Sequence, residues 1–116
     1  MSGKRYPMTP DTARAVFERE QGSCAVCGLA INGIGHLHHR LPRGMGGGRY
    51  ANTISNLLHL HHSCHLYKVE KEREKALLMG WLVRRGMDPS EVPVRYKMRD
   101  LVLLSDDGSM TIIEER

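Results

Sequence analysis

Two stretches of the chain carry apolar residues at helical spacing. The apolar positions of the first stretch are Ala13, Val16 and Phe17. Thr9-Pro10-Asp11 precedes this stripe and Gly22 follows it. A threonine cap, a first-turn proline and a terminating glycine therefore stand where helices favour them. The pattern predicts a helix over residues 9–21.

The second stripe predicts a helix that begins near His61 or His62 and ends at Gly80. Its apolar positions are Leu66, Val69, Ala76 and Leu77. Lysine, arginine and glutamate side chains fill the other faces, which is the ordinary composition of a solvated helix surface.

Strand patterns stand on both sides of a glycine-rich connection. Residues 35–41 and 55–60 predict the two strands of a hairpin, and residues 42–49 join them. The connection can be a flexible linker, or its bare backbone can approach a phosphate closely.

The last third of the chain predicts further β structure. Residues 81–83 predict a short strand, and Asp88-Pro89-Ser90 predicts a turn or the start of a one-turn helix. Residues 101–104 and 110–113 predict a hairpin around Asp106-Asp107-Gly108. Because no cluster of chemically reactive residues lies here, we interpret this part as structural or as a partner surface. Helices and strands together predict an α+β fold.

Composition narrows the class of protein. A chain of 116 residues suits a single domain over 1–116, and 41% hydrophobic with 5% aromatic residues predicts a modest core. Small domains often need an additional stabilising link, and a structural metal is one option. The formal charge of +4 fits a polyanionic partner such as DNA. The polar start and the lack of a span-length apolar run predict a cytoplasmic protein with no membrane partner.

The three cysteines indicate a metal site. They cannot all pair as disulfides, and without a secretion signal reduced thiolates on a metal are expected. Cys24 and Cys27 form one pair. His61 and Cys64 form another at a helix start, where positions i and i+3 share a face. Since zinc takes four cysteine or histidine ligands, these residues predict a structural Zn²⁺ that closes the base of a loop containing the hairpin.

Other interpretations of these residues stay open at this point. A C-x-x-C pair also occurs in redox proteins, and Cys64 can be a buried free thiol. His59 or His62 can replace His61 as the fourth ligand.

Three further motifs follow one another in a recognisable order: His38-His39, Ser55-Asn56-Leu57 and Cys64-His65. With the upstream C-x-x-C pair, they resemble the HNH endonuclease family over residues 20–70, and in particular its zinc-containing phage and bacterial branch. The resemblance implies a ββα-metal (His-Me finger) core, in which a hairpin lies on a helix with a divalent ion between them. It also implies a bacterial or phage-infected cell. The implied parts are an N-terminal helix (9–21), a zinc-stapled core (22–79) and a C-terminal β extension (80–116).

The resemblance also implies roles for individual residues. His39 matches the general base that activates water, and His38 and His65 match ligands of a catalytic Mg²⁺, Mn²⁺, Zn²⁺ or Ni²⁺. Asn56 matches the residue that holds the hairpin loop through backbone hydrogen bonds.

This chain departs from the family at two positions. Members of the zinc-containing branch usually have cysteine where this chain has His61, and histidine also binds zinc. Some members carry a histidine one turn beyond His65, where this chain has Val69. We therefore expect only two protein ligands on the catalytic ion.

Hydrolysis of a phosphodiester requires an activated water and relief of negative charge at the phosphate. An ion bound to His38 and His65 would relieve the negative charge at the phosphate. The near-neutral pKa of histidine suits His39 to activate the water. Three arginines flank this site and can hold neighbouring phosphates: Arg40, Arg43 and Arg49. Each can also be an ordinary solvated charge. His36 can face the same cleft or merely pack.

The expected function is therefore a metal-dependent DNA endonuclease. One alternative is a zinc-stapled nucleic-acid-binding module without catalysis. The other is an accessory protein of a phage packaging assembly, or one that docks a host protein.

Overall fold

Helix α1 spans Pro10–Glu20 in the computed structural model, which describes residues 9–42 and 50–115. The Thr9 side chain caps it by accepting the backbone N–H of Thr12 at 3.1 Å. The helix ends where Gln21 and then Gly22 adopt left-handed conformations. The helix predicted from the capping pattern is confirmed.

The end of α1 is fastened to the rest of the chain by a buried ion pair. Arg19 donates to the carboxylate of Glu20 at 2.7 Å, and both side chains are buried. Glu20 also accepts the backbone N–H of His59 at 2.9 Å and the hydroxyl of Tyr96 at 2.8 Å. One carboxylate therefore ties α1 to two segments far apart in the sequence.

A two-stranded antiparallel ribbon follows. Strand β1 spans His36–His39 and strand β2 spans Leu57–Leu60, with His38 opposite Leu58. Both strands are shorter than predicted, and in the second a 3₁₀ turn over Ile54–Asn56 replaces the start of the strand. The connection over residues 42–49 lies outside the described residues beyond Pro42.

The helical part after β2 is interrupted rather than continuous, which corrects the prediction of one long helix. It consists of α2 (His62–Cys64), a π-helical segment (His65–Glu70) and α3 (Arg73–Met79). The break falls at Glu72, whose dihedral angles are not helical. Gly80 ends α3 at φ 79°, and a side chain there would collide with the Pro93 carbonyl.

The C-terminal part forms a three-stranded antiparallel sheet in the order β3 (Val94–Tyr96), β4 (Asp100–Leu104) and β5 (Met110–Glu114). The β4–β5 hairpin confirms the prediction, as does the short 3₁₀ turn capped by Asp88. Strand β3 is additional.

Residues 81–83 are not a strand, and that prediction is wrong. These residues run through the interior instead. The backbone N–H of Val83 donates to the Arg40 carbonyl at 3.0 Å, and the indole of Trp81 donates to the Arg95 carbonyl at 2.9 Å. Isolated partners of this kind satisfy the backbone without a strand ladder.

A buried cluster joins the ribbon to the C-terminal sheet. It combines Leu58 and Leu60 of the ribbon with Trp81 and with Val94 and Val102 of the sheet. The C-terminal sheet therefore shares the core of the hairpin. None of the helices in the described residues is long and apolar enough to cross a membrane.

Candidate metal centre and histidine cluster

Four predicted zinc ligands lie together. The ligand atoms of Cys24, Cys27, His61 and Cys64 are all within 4.8 Å of one another. The Nδ1 atom of His61 is 3.3 Å from the Cys27 sulfur and 3.9 Å from the Cys64 sulfur. In residues 9–42 and 50–115 this is the one group of three or more such residues gathered in this way. These four residues can hold a metal ion such as zinc.

The turn that carries the first two sulfurs is built by local backbone bonds. The N–H of Gly28 donates to the Cys24 carbonyl at 2.8 Å, and the N–H of Cys24 donates to the Leu29 carbonyl at 2.9 Å. Gly28 adopts φ 82°, a conformation that glycine accepts readily. This reversal brings the two cysteine side chains to the same side.

The orientation of His61 is set by a backbone carbonyl. Its Nε2–H donates to the Ala30 carbonyl at 2.9 Å, which leaves the lone pair on the Nδ1 atom that approaches the sulfurs. Metal-binding histidines commonly donate their second ring nitrogen in this way. The alternatives His59 and His62 lie outside the group.

Electrostatics in the group favour a bound cation. Burial opposes ionisation of Cys24, but the backbone N–H groups of Cys27, His61 and Val26 outweigh it and lower the pKa of Cys24. Burial raises the pKa of Cys64 to about 12, and the charge of Cys24 contributes. A coordinated dication would oppose this effect of burial on Cys64 and hold its sulfur as a thiolate.

A second cluster consists of histidine rings. His36 stacks on His65 with ring centroids 4.0 Å apart, and His38 meets His65 edge-on at 5.0 Å. The ring of His62 lies 5.8 Å from that of His36. The structure therefore brings together the predicted ligands His38 and His65, and it adds His36, whose position the sequence left open.

His38 is fixed within this cluster. It is 4% exposed, and its Nε2–H donates to the Trp81 carbonyl at 2.8 Å. Burial lowers the pKa of His38 to about 3, so the ring is neutral at neutral pH. With Nε2 protonated, the Nδ1 atom carries the lone pair, which is the same arrangement as in His61.

His65 is less enclosed. Burial lowers its pKa, and the neighbouring His36 contributes. Its Nε2 atom lies 3.7 Å from the carboxylate of Glu70. That carboxylate is a residue of the site that the sequence did not reveal.

The other two predicted residues lie beside the ribbon. The Nε2–H of His39 faces the side-chain oxygen of Asn52 at 3.1 Å. Asn56 is fully buried and donates to the carbonyls of Leu41 at 3.2 Å and Ala51 at 3.0 Å. It also accepts the N–H of Leu41 at 2.8 Å. Asn56 thus ties both ends of the connection between the strands.

Arg40 occupies a place that the sequence did not predict. It is 0% exposed, and its guanidinium donates to the carbonyls of Gly80, Ser55, Pro89 and Val92 at 2.8–3.0 Å. Burial lowers the pKa of Arg40 to about 9, and the group stays charged at neutral pH.

The expectation that Arg40 holds a flanking phosphate is corrected, because a buried guanidinium whose donors are used on the backbone offers no surface to DNA. Arg43 and Arg49, assigned the same role, lie outside the described residues. No signal in the sequence around Arg40 marked it for burial, since its acceptors come from distant segments.

We compared the chain with models of protein families, with curated proteins and with solved structures, and none of these comparisons found a match.

Proposed function

We propose that the protein is a metal-dependent DNA endonuclease of the HNH type. One observation carries the proposal: strand β1 and the helical segment after β2 bring the rings of His38 and His65 to 5.0 Å from each other. Two antiparallel strands followed by a helix are also the order of elements in a ββα-metal core. The adjacent Cys/His group would be its structural zinc site.

His38 and His65 would hold the catalytic divalent cation, of which Mg²⁺, Mn²⁺, Zn²⁺ and Ni²⁺ are the candidates. The bond from His38 to the Trp81 carbonyl supports this role, because it orients the ring and leaves Nδ1 as the ligating atom. The low pKa of His38 keeps it in the neutral form that binds metals. When bound, such a cation stabilises negative charge on the phosphate and on the leaving oxygen.

His39 would remove the proton from the attacking water. Its Nε2–H faces the Asn52 oxygen, so the lone pair that a base needs is on Nδ1. Asn56 would act as a positioning residue, because its bonds to Leu41 fix the backbone two residues after His39. The proposal thus places the base and one ligand on β1, and the second ligand on the helical segment after β2. The supporting residue Asn56 lies in the turn that precedes β2.

Cleavage of supercoiled plasmid tests the proposal. The zinc-loaded protein is incubated with plasmid in buffer without added divalent ions, and then with each of the four divalent ions. We expect nicking or cutting only with an added ion. His39→Ala should lower the rate by about a hundredfold or more, as expected for loss of a general base.

His59→Gln is the matched control at a histidine on the same face of the ribbon as His39, because the His59 ring packs on Phe17 with ring centroids 4.7 Å apart. Circular dichroism and zinc content show whether each variant is folded. An unchanged rate in folded His39→Ala would remove the assignment of the base. Salt-dependent DNA binding without cleavage under any ion would favour the zinc-stapled binding module instead.

A further inference from the structure

Strand β5 is an open edge of the C-terminal sheet. Within residues 9–42 and 50–115 it pairs with β4 alone, and all five of its residues are exposed. At the opposite edge, Val94 and Tyr96 of β3 are buried, and the Trp81 indole donates to the β3 backbone at 2.9 Å. An exposed edge strand presents backbone N–H and C=O groups that can pair with a further strand.

The apolar side chains of β5 extend beyond the core. Ile112 lies opposite Val102 of β4, and residues paired in this way project to the same face of a sheet. Met110 lies opposite Leu104 in the same manner. Both β4 partners are buried, whereas Ile112 is 51% and Met110 is 38% exposed. Ile113, the extra residue at an irregularity of the pairing, is 47% exposed. The core therefore covers the sheet only as far as β4.

The hairpin that carries this edge is acidic. Residues 100–115 include no lysine or arginine, although the whole chain has a formal charge of +4. Their acidic residues are Asp100, Asp106, Asp107, Glu114 and Glu115. Before β5, the Asp107 carboxylate accepts the N–H and the hydroxyl of Ser109 at 2.9 and 2.6 Å. After β5, Glu115 is exposed. Negative charge thus flanks the apolar residues on both sides, which disfavours DNA at this edge.

The same charges disfavour a second copy of the chain as the occupant. In an antiparallel pair of β5 strands centred on Ile112, Glu115 of one copy would lie opposite Ser109 of the other. The Asp107 carboxylate is bonded to that serine, so acidic side chains would meet at both ends. In a parallel pair, Glu114 would lie beside its own counterpart. Like charges opposite each other on neighbouring strands are destabilising.

We propose that β5 receives an extended segment of a basic protein partner, which adds a fourth strand to the sheet. Apolar side chains of that segment cover Ile112 and Ile113, and its lysine or arginine side chains face Asp107 and Glu115. In such strand additions the backbone hydrogen bonds provide affinity and the alternate side chains provide specificity. Because β5 contributes no residue to the proposed catalytic site, this inference is independent of the nuclease activity.

Binding of synthetic peptides tests the inference. A fluorescein-labelled peptide, Lys-Lys-Val-Thr-Val-Thr-Val-Lys-Lys, is titrated with the zinc-loaded protein and followed by fluorescence anisotropy. One comparison peptide has glutamate in place of every lysine, and the other has proline in place of the central valine. We expect the basic peptide to bind about tenfold or more tightly than either, because proline disrupts strand pairing and glutamate meets like charge.

Two variants locate the binding site. Ile112→Lys places a cation at the centre of the edge and should weaken binding of the basic peptide by about tenfold or more. Ile34→Lys is the matched control, because Ile34 is 98% exposed and lies outside the sheet. It should bind the peptide like the unmodified protein. Circular dichroism and zinc content show whether both variants are folded.

Three results would overturn the inference. Equal or absent binding of all three peptides would remove the strand addition. Equal affinity of folded Ile112→Lys and Ile34→Lys for the basic peptide would remove β5 as its site. Dimers of the unmodified protein that Ile112→Lys abolishes, as measured by analytical ultracentrifugation, would show that a second copy covers this edge instead.

Discussion

Asn56 and Leu41 are joined by two hydrogen bonds. The amide side chain of Asn56 bonds the backbone of Leu41 in the way that a neighbouring strand would. The Leu41 N–H donates to the Asn56 oxygen at 2.8 Å, and the Asn56 nitrogen donates to the Leu41 carbonyl at 3.2 Å. Both residues are buried. The asparagine therefore holds the backbone two residues after His39, the proposed base at the end of β1.

Replacing this amide should destabilise the protein. Asn56→Ala leaves the buried N–H and C=O of Leu41 without partners, and each such group costs about 1–3 kcal/mol. We expect a lower free energy of unfolding in urea, with the slope of the transition unchanged. Asn52→Ala is the comparison at a less buried asparagine of the same connection. Equal stability of Asn56→Ala and the unmodified protein would contradict the role described here.

Loss of a sulfur ligand should remove the structural metal. Cys24→Ser takes away the buried sulfur that accepts the N–H groups of Cys27 and His61. Because metal binding contributes folding energy directly, we expect loss of zinc and a much lower unfolding temperature. Elemental analysis and thermal melting measure both. Ser63→Ala, an exposed neighbour of Cys64, should retain zinc and stability. If Cys24→Ser lacked metal and still melted at the same temperature as the unmodified protein, a structural metal would be excluded.

The buried arginine should matter more for stability than a surface arginine. Arg40→Met leaves several buried carbonyls without donors, and we expect a loss of about 3 kcal/mol or more. Arg14→Met provides the contrast, because the side chain of Arg14 is 65% exposed and pairs with Asp11 on the surface of α1. Exposed pairs of this kind contribute less than about 1 kcal/mol. Chemical denaturation of the two variants measures the difference, and similar losses would show that the interior guanidinium is dispensable.

Tyr96 should make the protein less stable in alkali. Burial and the adjacent Glu20 carboxylate raise the pKa of Tyr96 above its ordinary value of 10.0. As pH rises past that value, the unfolded chain loses this proton while the folded protein keeps it. Unfolding is then favoured, by up to about 1.4 kcal/mol per pH unit.

The comparison variant for this effect is Tyr96→Phe. Unfolding free energies measured from about pH 9 to about pH 11 should fall more steeply for the unmodified protein than for Tyr96→Phe. Parallel slopes would show that the phenol has the same proton affinity in both states.

Features that depend on neighbours in sequence could be predicted from the chain alone. The Thr9 cap places the start of α1, the C-x-x-C turn pairs two sulfurs, and the i, i+3 spacing of His61 and Cys64 pairs two more ligands. The β4–β5 hairpin follows from its Asp-Asp-Gly turn. Each of these is set by backbone preferences and short loops, in which few alternative conformations compete.

Only the tertiary structure decided which residues are buried and which distant segments they contact. Arg40 has the sequence context of a surface cation, yet its acceptors lie up to 52 residues away, and together they make a site in the interior. Residues 81–83 have the apolar pattern of a strand, but their hydrogen bonds go to scattered partners, which are His38, Arg40, Ala76 and Arg95. Glu70 reaches His65 only because the core takes Val69 and the helix widens around it. Burial and pairing of this kind arise from segments that meet after folding, and no local pattern records which segments will meet.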